Sequence, residues 1–218
     1  MKKNLPFVLL MTMCSLTSGQ TLSRPREVHS FKKSAIHVPA QLAPTGMKVI
    51  YSNLAKPTDA YDANDGWSLS GPNDIEASFV QFDAMPFTPK SNAHVSEVQV
   101  AVQYGGSGAN QVNLSLYAGG GGVPGTLLAG PVTVTNLPHF GTCCNLAVAN
   151  FPPVAVTAGT QYWVVADTPL SGVGSDFDGV WTWVVDVQME WAQEWNGTGW
   201  FATGGDGLPA GEVLGTIP

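Results

Sequence analysis

The amino-acid sequence predicts an all-β protein, a jelly-roll-like antiparallel β-sandwich. Three observations carry that expectation. Charged residues are only 11% of the 218-residue chain, Gly and Pro number 25 and 16, and aromatics reach 10%. Against a usual charged fraction of about 25%, this composition favours strands and turns over helices. Apolar and polar residues alternate over many short stretches, the signature of strands with one buried face. No segment sustains an apolar stripe at helical spacing over three turns.

The chain divides into three parts. Residues 1–19 read as a secretory signal peptide: Lys2 and Lys3 precede a short apolar run over 5–13, and Thr17-Ser18-Gly19 offers small residues for cleavage. That run is too short for a permanent membrane helix, and no other segment is long and apolar enough to be one. A mature chain without a transmembrane segment, secreted to the extracellular space or the cell surface, is expected. Residues 20–45 hold Arg24, Arg26, Lys32 and Lys33, four of the seven basic residues beyond the leader, and show no apolar period. They read as a flexible basic arm or linker. Residues 46–218 form the β-sandwich domain.

Within the domain, 47–54 is a first strand, followed by 66–70 and 77–82, after which Pro86 and Pro89 break the pattern. Residues 97–104 alternate, with Val98, Val100, Val102 and Tyr104 on one face and Gln99, Ala101 and Gln103 on the other. Val112, Leu114 and Leu116 repeat the pattern. Glycines 119–122 with Val123-Pro124-Gly125 form a turn, and 131–134, 145–148 and 160–167 supply further strands. The longest alternation, 181–195, exceeds the usual strand of about 5–6 residues, so a bend splits it. Asn196-Gly197 between Trp195 and Trp200 signals a hairpin.

After Lys90 the chain contains no Lys or Arg, while 91–218 carries nine Asp or Glu. Binding to a phosphate backbone requires cationic side chains that replace condensed counterions. The domain is therefore not expected to bind nucleic acid. Once the leader is removed, the cysteines are Cys143 and Cys144, adjacent in sequence. Three outcomes stay open for them: a vicinal disulfide, pairing with another chain, or buried thiols.

Several stretches, in order, resemble a known group. Tyr51-Ser52-Asn53-Leu54 opens the domain, and residues 113–117 (NLSLY) lead into the glycine run and Val123-Pro124-Gly125 with Thr-Leu-Leu-Ala129. Residues 158–165 (AGTQYWVV) follow, and Glu212-Val213-Leu214-Gly215 closes the domain. This pattern, over about residues 51–215, resembles the bacterial choice-of-anchor domains, in particular the R type. The resemblance implies an exported extracellular β-sandwich and supplies no catalytic residues. The chain ends at Gly215-Thr216-Ile217-Pro218 without an apolar helix or basic cluster. Free secretion or attachment through the basic arm is expected rather than a C-terminal anchor.

Two constellations are candidates for binding. Trp181, Trp183, Trp191, Trp195 and Trp200 crowd into one stretch of sequence with Glu190, Glu194 and Asn196. Exposed indoles stack on sugar rings while amides and carboxylates take hydroxyls, so a carbohydrate-binding surface is one reading. Strand aromatics facing the core are the competing one. Asp62, Asn64 and Asp65 before Gly66, and Asp176 and Asp178 before Gly179, bunch oxygen atoms beside glycine turns. A structural Ca²⁺ would use such oxygens, although Asp and Asn are also ordinary turn residues. No other cofactor is expected.

The chain has no GxSxG, HExxH or P-loop motif, and His94 and His139 sit in turn-like contexts. A glycosidase pair drawn from Glu190, Glu194 and Asp176 requires a defined separation across a cleft. The expectation is a secreted, non-catalytic β-sandwich with a surface or matrix role whose partner is a glycan or surface polymer. A carbohydrate-binding module stands second and a glycan-active hydrolase third.

Overall fold

The computed structural model describes residues 27–29, 46–54, 60–77, 79–184, 192–195, 199–203 and 207–218, with strands but no helix among them. The strands in chain order are β1 (Glu27–His29), β2 (Lys48–Ser52), β3 (Asp65–Ser70), β4 (Phe82–Phe87), β5 (Ala93–Val100), β6 (Val102–Tyr104) and β7 (Gln111–Gly119). They continue as β8 (Pro124–Thr135), β9 (Ala147–Val156), β10 (Tyr162–Asp167), β11 (Asp178–Thr182), β12 (Ala192–Trp195), β13 (Trp200–Thr203) and β14 (Gly211–Thr216).

Every pairing between these strands is antiparallel. One six-stranded sheet has the order β13-β12-β4-β10-β7-β8, and two four-stranded sheets run β2-β14-β5-β9 and β1-β3-β11-β6. Residues of all three sheets meet in one apolar core. Met85, Leu114, Leu116 and Val164 come from the six-stranded sheet, Val95, Val98, Ala149 and Val213 from the second, and Leu69, Val102 and Trp181 from the third. The chain is thus an all-β sandwich with three sheets.

The division into two four-stranded sheets occurs within the expected strand 97–104. Ala101 interrupts it, and β5 and β6 belong to different sheets. At the break, Ala101 N donates to Ala210 O (3.0 Å), Ala210 N to Thr182 O (2.8 Å) and Thr182 N to Ala101 O (3.1 Å). The alternation survives the corner, with Val98, Val100 and Val102 all in the core. The opposite face is buried as well, Gln99, Ala101 and Gln103 included. An irregularity in pairing between Val95 and Glu97 keeps both Val95 and Val98 inward.

Other elements also differ from expectation. The strand expected over 77–82 lies later, at β4, and runs through Pro86. Pro86 stands in register with Trp163 of β10, and among the described residues β12 pairs with β4 over Phe82–Ala84. Pro152 and Pro153 lie within β9, which among the described residues pairs only with β5, at the irregularity between Val95 and Glu97. The long alternation 181–195 is divided: β11 joins β3 and β6, whereas β12 joins β4 and β13. The hairpin expected around Asn196-Gly197 appears as the β12–β13 pair, with Trp195 opposite Trp200. Part of the basic arm is also a sheet element, because β1 pairs with β3.

Trp181 is 0% exposed, and its Nε1 donates to Ala210 O at 2.9 Å. A Trp181→Phe variant loses that bond and part of the packing of the corner. It should destabilise the protein by about 1–3 kcal/mol in denaturant unfolding. A change below about 0.5 kcal/mol would show that the indole is not part of the core.

Candidate functional site

Alternation along β10 sends Tyr162, Val164 and Ala166 into the core and turns Trp163, Val165 and Asp167 to the outer face of the six-stranded sheet. Register then places Tyr117, Ser115 and Asn113 of β7 beside them on one side, and Pro86 and Ala84 of β4 on the other. Ala84, Trp163 and Val165 form a compact cluster, against which the half-buried Tyr117 and Trp200 pack. Trp163 is itself 0% exposed, and its Nε1 has no hydrogen-bond partner among the described residues. Among the side chains described on this face, Trp200 and Tyr117 are the rings that retain contact with solvent.

The polar end of the same face is a short relay. Thr133 Oγ1 donates to Asn113 Oδ1 at 2.8 Å, and the Asn113 side chain in turn hydrogen-bonds Asp167. Burial pushes the Asp167 carboxyl up to about 6, and the Asn113 hydrogen bond offsets part of that rise. Burial, reinforced by the Asp167 charge, also raises the Tyr117 hydroxyl. The face thus offers partly exposed rings, a hydroxyl, an amide and a carboxyl that changes charge near pH 6. Such a set can pack against the apolar face of a ring while exchanging hydrogen bonds with its hydroxyls.

Most of the tryptophans singled out in the sequence lie elsewhere. Trp181 is a core residue, and Trp183 is 8% exposed with its ring set edgewise on Trp67 at 5.3 Å. Neither offers an open face to a ligand, and the binding expectation for these two is corrected. Trp200 does border the outer face. Trp195 is known here by its strand position opposite Trp200, and Glu194 by its position opposite Phe201 and Asp83. Glu190, Trp191 and Asn196 lie outside the described residues.

In the acidic loops, Asp62 and Asp176 each turn a carboxylate oxygen to the chain's own backbone, whereas Asn64 Oδ1 is buried without a partner. Asn64 N donates to Asp62 Oδ1 at 2.9 Å, which closes a turn. Ala109 N donates to Asp176 Oδ1 at 3.1 Å. Asp65 and Asp178 lie in β3 and β11, opposite His29 and Ser70 respectively. Among the described residues, no three His, Cys, Asp or Glu side chains gather into a metal-binding group.

Cys143 and Cys144 form the vicinal disulfide, one of the three outcomes open from the sequence. Both are buried with Ala60, Tyr61, Ala63, Ala101, Val184 and Ala210. Gln103, on the face of β6 away from the main core, holds this loop. Its Oε1 accepts from Gly141 N at 3.0 Å, and its Nε2 donates to Thr142 O and to the Tyr61 hydroxyl. Tyr61 donates onward to Asn145 O at 2.9 Å. Burial pushes the Tyr61 hydroxyl up to about 12, against the lowering effect of Gln103.

Sequence reasoning missed Trp163, Tyr117, Asn113 and Asp167 as a group. The available signal was the ending of an apolar strand in Asp167, but the pairing of that strand with β7 is a tertiary fact. Compared with known proteins, the chain matches no family model, no curated protein and no solved structure.

The raised Asp167 carboxyl has a definite pH consequence. Its folded value of about 6 lies above the ordinary 3.8, so the folded state binds more protons between those two values. Stability from this group therefore falls as pH rises from about 4 to about 6 and then levels off. Glu212, also raised by burial, adds a slope of the same sign. An Asp167→Asn variant should be more stable than the parent at pH 7 by about 1–3 kcal/mol and lose part of the acid-side slope. Parallel stability-versus-pH curves for the two proteins would contradict the assignment.

Proposed function

We propose that this chain is an exported, non-catalytic β-sandwich with a structural or interaction role at the cell surface or in the extracellular matrix, of the choice-of-anchor kind. The observation that carries the proposal is the vicinal disulfide built into the packing of the second apolar cluster. Disulfides persist in oxidising compartments and are rare in reducing cytosol. A leader-like first 19 residues and a cation-free, acidic stretch after Lys90 agree with that placement. The use of Asp62, Asp176 and Gln103 to hold backbone groups supports a scaffold rather than a reaction centre.

A second reading is carbohydrate binding on the outer face of the six-stranded sheet. The half-buried Trp200 and Tyr117 beside the Asn113–Asp167 relay favour it. In this reading the platform shifts from Trp181 and Trp183 to Trp200.

Protein isolated from its producing cells should be recovered from medium or cell surface, should lack residues 1–19, and should resist thiol alkylation in denaturant until it is reduced. Cytosolic protein that keeps its leader and has two free thiols at Cys143 and Cys144 would overturn the proposal. On a glycan array, a specific signal that Trp200→Ala removes would favour sugar recognition. No signal from either protein would count against it.

A further inference from the structure

The outer face of the β2-β14-β5-β9 sheet carries two acids on neighbouring strands. Glu97 of β5 and Glu212 of β14 are 4% and 8% exposed, and carboxylates so deeply buried are normally paired with a cation or a metal. Between them stands Gln99, 0% exposed and directly opposite Glu212 in the β5–β14 register. Gln99 Nε2 donates to Glu97 Oε1 at 2.6 Å, while Gln99 Oε1 is buried without any donor. Ser52 of β2, opposite Glu212 on the other side, hydrogen-bonds the Glu212 carboxyl. Burial raises the Glu212 carboxyl above its ordinary range, the Ser52 hydrogen bond offsets part of that rise, and repulsion from the Glu97 charge adds to it.

The one unsatisfied buried atom recorded here, Gln99 Oε1, is an acceptor, and it lies among carboxylates. An unpaired buried amide oxygen costs free energy comparable to a lost hydrogen bond, and two like charges side by side add to that cost. A hard cation removes both penalties at once. We propose that Glu97, Glu212 and Gln99 Oε1 form a Ca²⁺-binding site on this sheet face, with Ser52 Oγ at its margin. Two carboxylates, each mono- or bidentate, and one amide oxygen supply about three to five of the six to eight oxygens that Ca²⁺ takes, and water supplies the rest. The site differs from the Asp62 and Asp176 loops, where Asp62 Oδ1 and Asp176 Oδ1 each accept from a backbone amide and, among the described residues, no second deeply buried carboxylate stands beside them. It is independent of the surface-role proposal and stands or falls without it.

The test uses the whole purified protein, stripped with chelator and then melted with and without CaCl₂, alongside Glu212→Gln and Glu97→Gln. Ca²⁺ at about 100-fold over its dissociation constant should raise the melting temperature of the parent by about 5–10 °C. Both variants should lose that response. In chelator, Glu212→Gln should melt no lower than the parent, since it removes the repulsion and keeps the shape. That variant separates loss of a site from failure to fold. A Ca²⁺ response that survives in both variants would place the ion elsewhere and overturn the proposal. No response in the parent would overturn it, and a loss of stability with rising pH in chelator that Glu212→Gln reduces would assign a proton held on Glu212 instead.

Discussion

Three backbone hydrogen bonds at Ala101 hold the architecture together. Ala101, Ala210 and Thr182 each give an N–H to the next and take one in return, so the ring closes on itself. All three residues are 0% exposed, where an unpaired peptide group would cost as much as a lost hydrogen bond. Thr182 Oγ1 adds a bond to Ala101 O, and Trp181 Nε1 adds one to Ala210 O. The ring lets β5 leave one sheet and enter another as β6 without orphaning its backbone. It also ties the end of β11 to the approach to β14, so both four-stranded sheets share one core with the six-stranded sheet.

Burial of both sheet faces follows from that arrangement. The main core lies on one side of β6, and the loops bearing Tyr61 and the disulfide lie on the other. β10 is likewise apolar on both sides, with Val164 facing the core and Trp163 and Val165 in the outer cluster. A protein built this way has little room for charge, which is the physical meaning of its low charged fraction. The polar groups that are enclosed must find partners within the chain. The Gln103 side chain finds three, in Gly141, Thr142 and Tyr61, and thereby fixes a loop. Gln99 finds one for its nitrogen and none for its oxygen, which makes it the more informative of two glutamines four residues apart.

The outer face of the six-stranded sheet and the acid pair on the β5–β14 face arise from the same rule. Adjacent strands in register bring residues distant in sequence side by side on one face. Asn113 and Asp167 meet in this way, as do Gln99 and Glu212. Desolvation then changes their chemistry: a carboxyl that would be charged at neutral pH in water holds its proton to about pH 6 at Asp167.

By itself the sequence determined that the chain is a β protein, where most strands fall, and that Trp195 and Trp200 face each other across a hairpin. It did so because period-2 alternation and turn residues are local properties of the backbone. Alternation gives the spacing of buried side chains but not which face is covered, so in a chain buried on both faces it could not tell platform from core. Trp181 and Trp183 share parity with the rest of their run, yet one enters the main core and the other meets Trp67, which lies far away in sequence. The change of sheet at Ala101 left no mark, since Val100 and Val102 keep the same parity through it. Pro86 reads as a strand breaker, yet it lies within β4, in register with Trp163 of β10. Tertiary structure alone decided these points, because they depend on which strand lies alongside, and that is fixed by packing between segments far apart in the chain.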